Sequence, residues 1–68
     1  MKERKKLIKL RTSMGLKQKD VAESINITTS YYGMIEQGKR MPNLSIALSI
    51  AKFFNTPVEE IFFEDRNN

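Results

Sequence analysis

Every apolar stretch of this 68-residue sequence repeats at helical spacing and is cut short, within about four turns, by a residue that ends helices. Leu7, Leu10 and Met14 stand at i, i+3 and i+7, and Gly15 follows them, which predicts a first helix from Lys2 to Met14. Val21, Ala22 and Ile25 mark a second, over 18–25, that ends at Asn26, a residue type that tolerates the left-handed backbone of a tight turn. A third begins after Thr28, whose hydroxyl can accept from a first-turn N–H, and closes at Gly38. Asn43 can cap a fourth, with Leu44, Ala47, Leu48, Ala51 and Phe54 as its buried stripe. Thr56-Pro57-Val58-Glu59 reads as the start of a fifth over 57–62, with threonine as cap and proline at the first helical position. No segment alternates with period two, so the expected fold class is all-α, with five short helices.

Length allows one domain, residues 1–68, with a core at about 4–63 and a frayed tail at 64–68. A domain of this size buries only about 60% of the surface its unfolded chain exposes, so a second subunit would add useful stability. Cysteine and histidine are both absent, which removes disulfides, thiolate zinc sites and the commonest catalytic base. With no phosphate-binding glycine loop and only scattered carboxylates, the expectation is no enzyme, no cofactor, no metal and no small-molecule ligand. No apolar run approaches the roughly 18 residues that cross a bilayer, and no signal-peptide core follows the basic first segment, so a cytoplasmic location without membrane contact is expected.

Charge is unevenly placed. Eight basic groups against Glu3 give residues 1–19 a charge of +7, residues 20–54 balance, and the rest carries −3, for a net +4. A polyanion such as nucleic acid suits the first segment; the alternative is that these lysines only solvate the first helix.

The layout over residues 18–38, a two-turn helix, a short turn and a second short helix, is that of a helix-turn-helix, the unit that places its second helix in the DNA major groove. A plain pair of antiparallel helices has the same outline, so the outward side chains decide. At about 100° per residue, Thr29, Gly33, Gln37, Ser30 and Met34 of the third helix share an arc of about 140°, opposite the bulky Tyr31, Tyr32 and Ile35. An ordinary solvated face would carry Lys and Glu, which form helices better. Gly33 stands out, since a mid-helix glycine costs about 1 kcal/mol relative to alanine, and close approach to DNA is one reason to keep it. Thr29 and Met34 can pack on a thymine methyl, Thr29 and Ser30 can bond base edges, and Gln37 can pair with adenine or reach a phosphate. With no arginine on the arc, recognition should lean on apolar contact, water and DNA shape. Lys17, Gln18 and Lys19 at the start of the second helix, and Lys39 and Arg40 after the third, are the expected backbone anchors.

These motifs resemble the lambda-repressor-like, or Xre/Cro-type, helix-turn-helix family over about residues 7–62. The match comprises L-x-x-L-R at 7–11, G-L-x-Q at 15–18, V-A at 21–22, I-E-x-G-K at 35–39, P-x-L at 42–44 and I-A at 50–51. The resemblance implies a transcriptional regulator, first of all a repressor, with Thr29, Ser30, Gly33 and Met34 facing bases and Gln18 and Tyr31 on phosphates. It also implies an ion pair between Arg11 and Glu36, which inward stripes through Leu7 and Tyr32 make plausible, leaving Arg11 donors over for a phosphate. Two positions depart from the pattern: Lys17 replaces the Ser or Thr that caps the second helix, and Asn26 replaces the turn glycine. Family members bind two-fold symmetric double-stranded operators as homodimers, and Ile61, Phe62 and Phe63 are the expected dimer interface unless they simply close the core. The rival functions are a protein-interaction module of antitoxin or antirepressor type, and an activator or autoregulatory controller.

Overall fold

A computed structural model describes residues 3–63 and contains five helices among them: α1 Lys5–Ser13, α2 Gln18–Ser24, α3 Thr29–Glu36, α4 Leu44–Phe53 and α5 Val58–Phe62. The all-α expectation holds. The expected starting point of the first helix, Lys2, and the tail at 64–68 lie outside the described residues.

One device ends four of the helices. After α1, the N–H of Leu16 reaches the carbonyl of Arg11 and that of Gly15 reaches Thr12. The same pair of bonds runs from Ile27 to Ala22 and Asn26 to Glu23 after α2, from Lys39 to Met34 and Gly38 to Ile35 after α3, and from Thr56 to Ala51 and Asn55 to Lys52 after α4. Each is a Schellman closure, which needs a left-handed residue at its centre. Gly15, Asn26, Gly38 and Asn55 supply it, with φ of 72°, 66°, 80° and 52°. Helices of two to three turns cannot persist alone, so these stops and the packing between helices define them together.

Caps complete the ends. Thr28 Oγ1 accepts from the Tyr31 N–H at 3.0 Å and Asn43 Oδ1 from the Ile46 N–H at 2.9 Å, as expected. At α2 the missing Ser or Thr cap is offset from the other side, because the Asp20 carboxylate accepts the Lys17 N–H at 2.8 Å. Thr56 does not cap α5. Its hydroxyl donates to the Phe54 carbonyl at 2.9 Å, one of the orphan acceptors ending α4, and Pro57 takes the cap position without a side-chain bond.

Leu7 of α1, Val21 and Ala22 of α2, Tyr32 and Ile35 of α3, Ile50, Ala51 and Phe54 from α4 and its cap, and Ile61 of α5 form the core. The expected stripe of α4 is corrected here: Ala47, Ile50, Ala51 and Phe54 are buried, but Leu44 is 71% and Leu48 49% exposed. From Ile46 round to Leu48 the apolar arc of α4 spans about 200° of the wheel, wider than one small domain covers. A second correction concerns α5. Ile61 is a core residue and Phe62 is half-buried, leaving Phe63, just past α5, as the most exposed of the three at 38%.

Candidate nucleic-acid interface

Three helices converge on one carboxylate. Glu36, near the end of α3, is 1% exposed and accepts from Arg11 Nε at 2.6 Å and Nη2 at 3.1 Å. Gln18 Nε2 donates to the same group at 3.0 Å. Arg11 Nη1 also reaches the Leu16 carbonyl at 2.9 Å, so this side chain fixes the turn after α1 as well. Hydrogen bonding to Glu36 raises the Arg11 pKa above the ordinary arginine value, against the cost of burial. The ion pair implied by the sequence is therefore present and bidentate, the geometry in which arginine and carboxylate bind most strongly. Three of the five Arg11 N–H donors are engaged, so two are left over.

Beside this group lies the buried ring of Tyr32, whose hydroxyl stands next to the Glu36 carboxylate and the Arg11 guanidinium without a well-formed hydrogen bond to either. Burial, with the neighbouring Glu36 carboxylate, pushes its pKa far above the ordinary tyrosine value.

The outer side of α3 divides. Thr29, Ser30 and Gln37 are exposed and Met34 is half-exposed, as the wheel predicts. Gly33 is the exception. It sits in the middle of the arc yet is buried, because the Gln18 side chain from α2 lies over it, and a Cβ there would stand 3.1 Å from Gln18 Oε1. A wheel treats a helix in isolation and misses a neighbour that folds across it. Gly33 thus offers a seat for Gln18.

Lys17, Lys39 and Arg40 are exposed. The N–H groups of Lys39 and Arg40 both bond the Met34 carbonyl, at 3.0 and 3.3 Å, which holds the basic loop against the end of α3. Lys19 is exposed and lies 3.8 Å from Glu23, a surface pair of little energetic weight. Tyr31 is half-buried.

Arg4 is the residue whose role the sequence did not predict. Its N–H donates to the Glu36 carbonyl at 2.8 Å, and its Nη1 to the carbonyls of Ile35 at 2.7 Å and Arg40 at 3.1 Å. Nη2 lies 3.2 Å from Met41 Sδ, and the guanidinium stands 5.1 Å from the Phe62 ring centroid. Burial draws its pKa below the ordinary arginine value. One cation thereby satisfies the carbonyl end of α3, sets the start of the basic loop and covers α5.

The helix-turn-helix family profile matches residues 7–61, which takes in α2, α3 and the supporting helices. The chain belongs to the helix-turn-helix family. Among relatives of this helix-turn-helix domain, the HTH-type transcriptional regulator YgzD of Bacillus subtilis is 32% identical over 63 residues, covering 93% of this chain and 96% of YgzD. An HTH-type transcriptional regulator of Methanocaldococcus jannaschii is 39% identical over 61 residues, covering 88% and 92% of the two chains. The phage CTXphi transcriptional repressor RstR of Vibrio cholerae is 30% identical over 93% of this chain and 57% of its own length. In three dimensions the helix-turn-helix domain is similar to the restriction-modification controller protein C.AhdI of Aeromonas hydrophila, with a TM-score of 0.74 and 34% identity over 82% of this chain and 85% of that one. The lambda-repressor-like resemblance read from the motifs is borne out. No helix among the described residues is long and apolar enough to cross a membrane, and no group of three or more metal-binding side chains occurs among them.

Proposed function

We propose that this chain is a sequence-specific, double-stranded DNA-binding transcriptional regulator, in the first place a repressor, that reads the major groove with α3. The carrying observation is the exposed row Thr29, Ser30 and Gln37 with the half-exposed Met34, bordered by Gln18 at the start of α2 and by Lys39 and Arg40 after α3. Thr29, Ser30, Met34 and Gln37 are the proposed base-reading residues, through methyl contact, hydroxyl bonds and a flexible amide. Gln18, Lys17, Tyr31, Lys39 and Arg40 are the proposed phosphate anchors, with Lys19 and the exposed edge of Arg11 in lesser roles. The names of the relatives support regulation of transcription.

The likeness to a controller protein favours a second reading, in which the same DNA contact serves an activator or self-regulating controller.

The operator would be two-fold symmetric and the protein a homodimer acting in the cytoplasm. Its interface is proposed at Leu44 and Leu48, which lie one turn apart on α4, with Phe63 contributing from the end of α5. Exposed leucines at this spacing form the apolar patch that an isologous contact buries on both subunits.

Duplex binding against salt tests the proposal. log K should fall linearly with log[salt], by about 0.9 per phosphate neutralised. Absence of duplex binding even at low salt would point to a protein-interaction module.

A further inference from the structure

We propose that Gly33 is a positioning residue for DNA binding, because the absence of a Cβ lets the Gln18 side chain lie closely across α3. This rests on the reading of Gln18 as a phosphate anchor. Three observations meet here. The Gln18 carboxamide covers Gly33, with Oε1 at 3.1 Å from where a Cβ would stand. Its Nε2 donates to Glu36 at 3.0 Å. Glu36 is itself fixed by the bidentate Arg11.

The chemistry of Glu36 decides which way the amide faces. A carboxylate held by a guanidinium only accepts, so the nitrogen of Gln18, not its oxygen, must face it. The Gln18 oxygen is thereby turned onto the bare backbone of α3, and the second Nε2–H is the donor left for a ligand. Arg11 fixes Glu36, Glu36 fixes Gln18, and Gly33 makes room for the result. A methyl at position 33 presses on the end of a flexible side chain, not on backbone. Gln18 can therefore give way by a few tenths of an ångström at small cost to the fold while losing its hydrogen-bond alignment, and alanine is the better helix former.

Gly33→Ala should consequently leave thermal stability equal or higher while weakening binding to a short duplex of arbitrary sequence about tenfold, the size expected for one charge-assisted hydrogen bond. The salt slope should stay unchanged, because a neutral amide releases no counterion. Gln18→Ala should lose the same, and adding Gly33→Ala to it should cost nothing further. A Gly33→Ala protein with unchanged affinity overturns the proposal. So does an undiminished loss in the Gln18→Ala background, which would mean that the Gly33 backbone itself approaches DNA. NMR of the free protein keeps this separate from the DNA reading. The Gln18 side-chain amide protons should be shifted and slowed in exchange in the wild type and revert toward free-amide values in Gly33→Ala; identical spectra would show that no seat exists, whether or not the protein binds DNA.

Discussion

Arg11 and Glu36 meet through two parallel hydrogen bonds, at 2.6 and 3.1 Å, and so join the end of α1 to the end of α3 around a carboxylate that solvent hardly reaches. Glu36 is the one charged residue in the buried set among those described, and its burial is tolerable only because Arg11 and Gln18 both bond to it.

Arg11→Met should therefore destabilise by about 3–5 kcal/mol, the cost of stranding a buried charge. That approaches the whole stability of a domain this small, so urea unfolding should find the variant largely unfolded at room temperature. Glu36→Gln, which keeps shape and an acceptor, should cost clearly less. Equal and small losses for both would contradict a buried, mutually dependent pair.

Tyr32→Phe tests a different situation, a buried hydroxyl beside Glu36 that makes no well-formed hydrogen bond. Removing the hydroxyl should leave stability unchanged or raise it by up to about 1 kcal/mol, because the bonds it forms with water when unfolded are not replaced on folding. The sign with pH follows from the raised pKa. Above the ordinary value of 10.0 the unfolded chain releases a proton that folded Tyr32 keeps, so stability present below that pH is lost as pH rises through the alkaline range. The loss from this one group should total about 1.4 kcal/mol between pH 9 and 11, so chemical denaturation across that range should lose about that much less stability in Tyr32→Phe.

Leu48→Glu probes the proposed subunit contact. Sedimentation across a concentration series should find the wild type dimerising and the variant monomeric but folded, since Leu48 adds little to the core. A wild type that stays monomeric throughout, or a variant that still dimerises, would move the interface elsewhere.

Much of this was legible in the sequence because it belongs to single residues. Gly15, Asn26 and Gly38 announce left-handed closures by type alone, and Thr28 and Asn43 announce caps. Asn55 escaped notice because the adjacent Thr56-Pro57 carries a stronger start signal, which the Thr56 hydroxyl then does not follow. What could not be read depends on neighbours from elsewhere in the chain. The wheel of α3 cannot know that Gln18 covers Gly33, and the wheel of α4 cannot know where its neighbours stop short of Leu44 and Leu48. Among the crowded cations of the first eleven residues, nothing in the sequence singles out Arg4 as the one that clamps the end of α3.

Anchoring and reading should separate under mutation. Arg40→Ala should weaken binding to all duplexes alike and lower the salt slope by about 0.9, as loss of one phosphate contact requires. Thr29→Ala and Met34→Ala should instead leave the slope unchanged and alter relative affinities among sequences. Uniform effects from all three would remove the distinction between the loop and the helix face.

Selection of bound sites from random duplex DNA, run in parallel on the wild type and on Met34→Ala, addresses recognition by α3 most directly. The expected result is a two-fold repeated half-site, its halves about one helical turn apart, with the base preference changed by Met34→Ala at one position in each half. A pool that never converges, or an identical consensus from both proteins, would contradict a reading role for this helix.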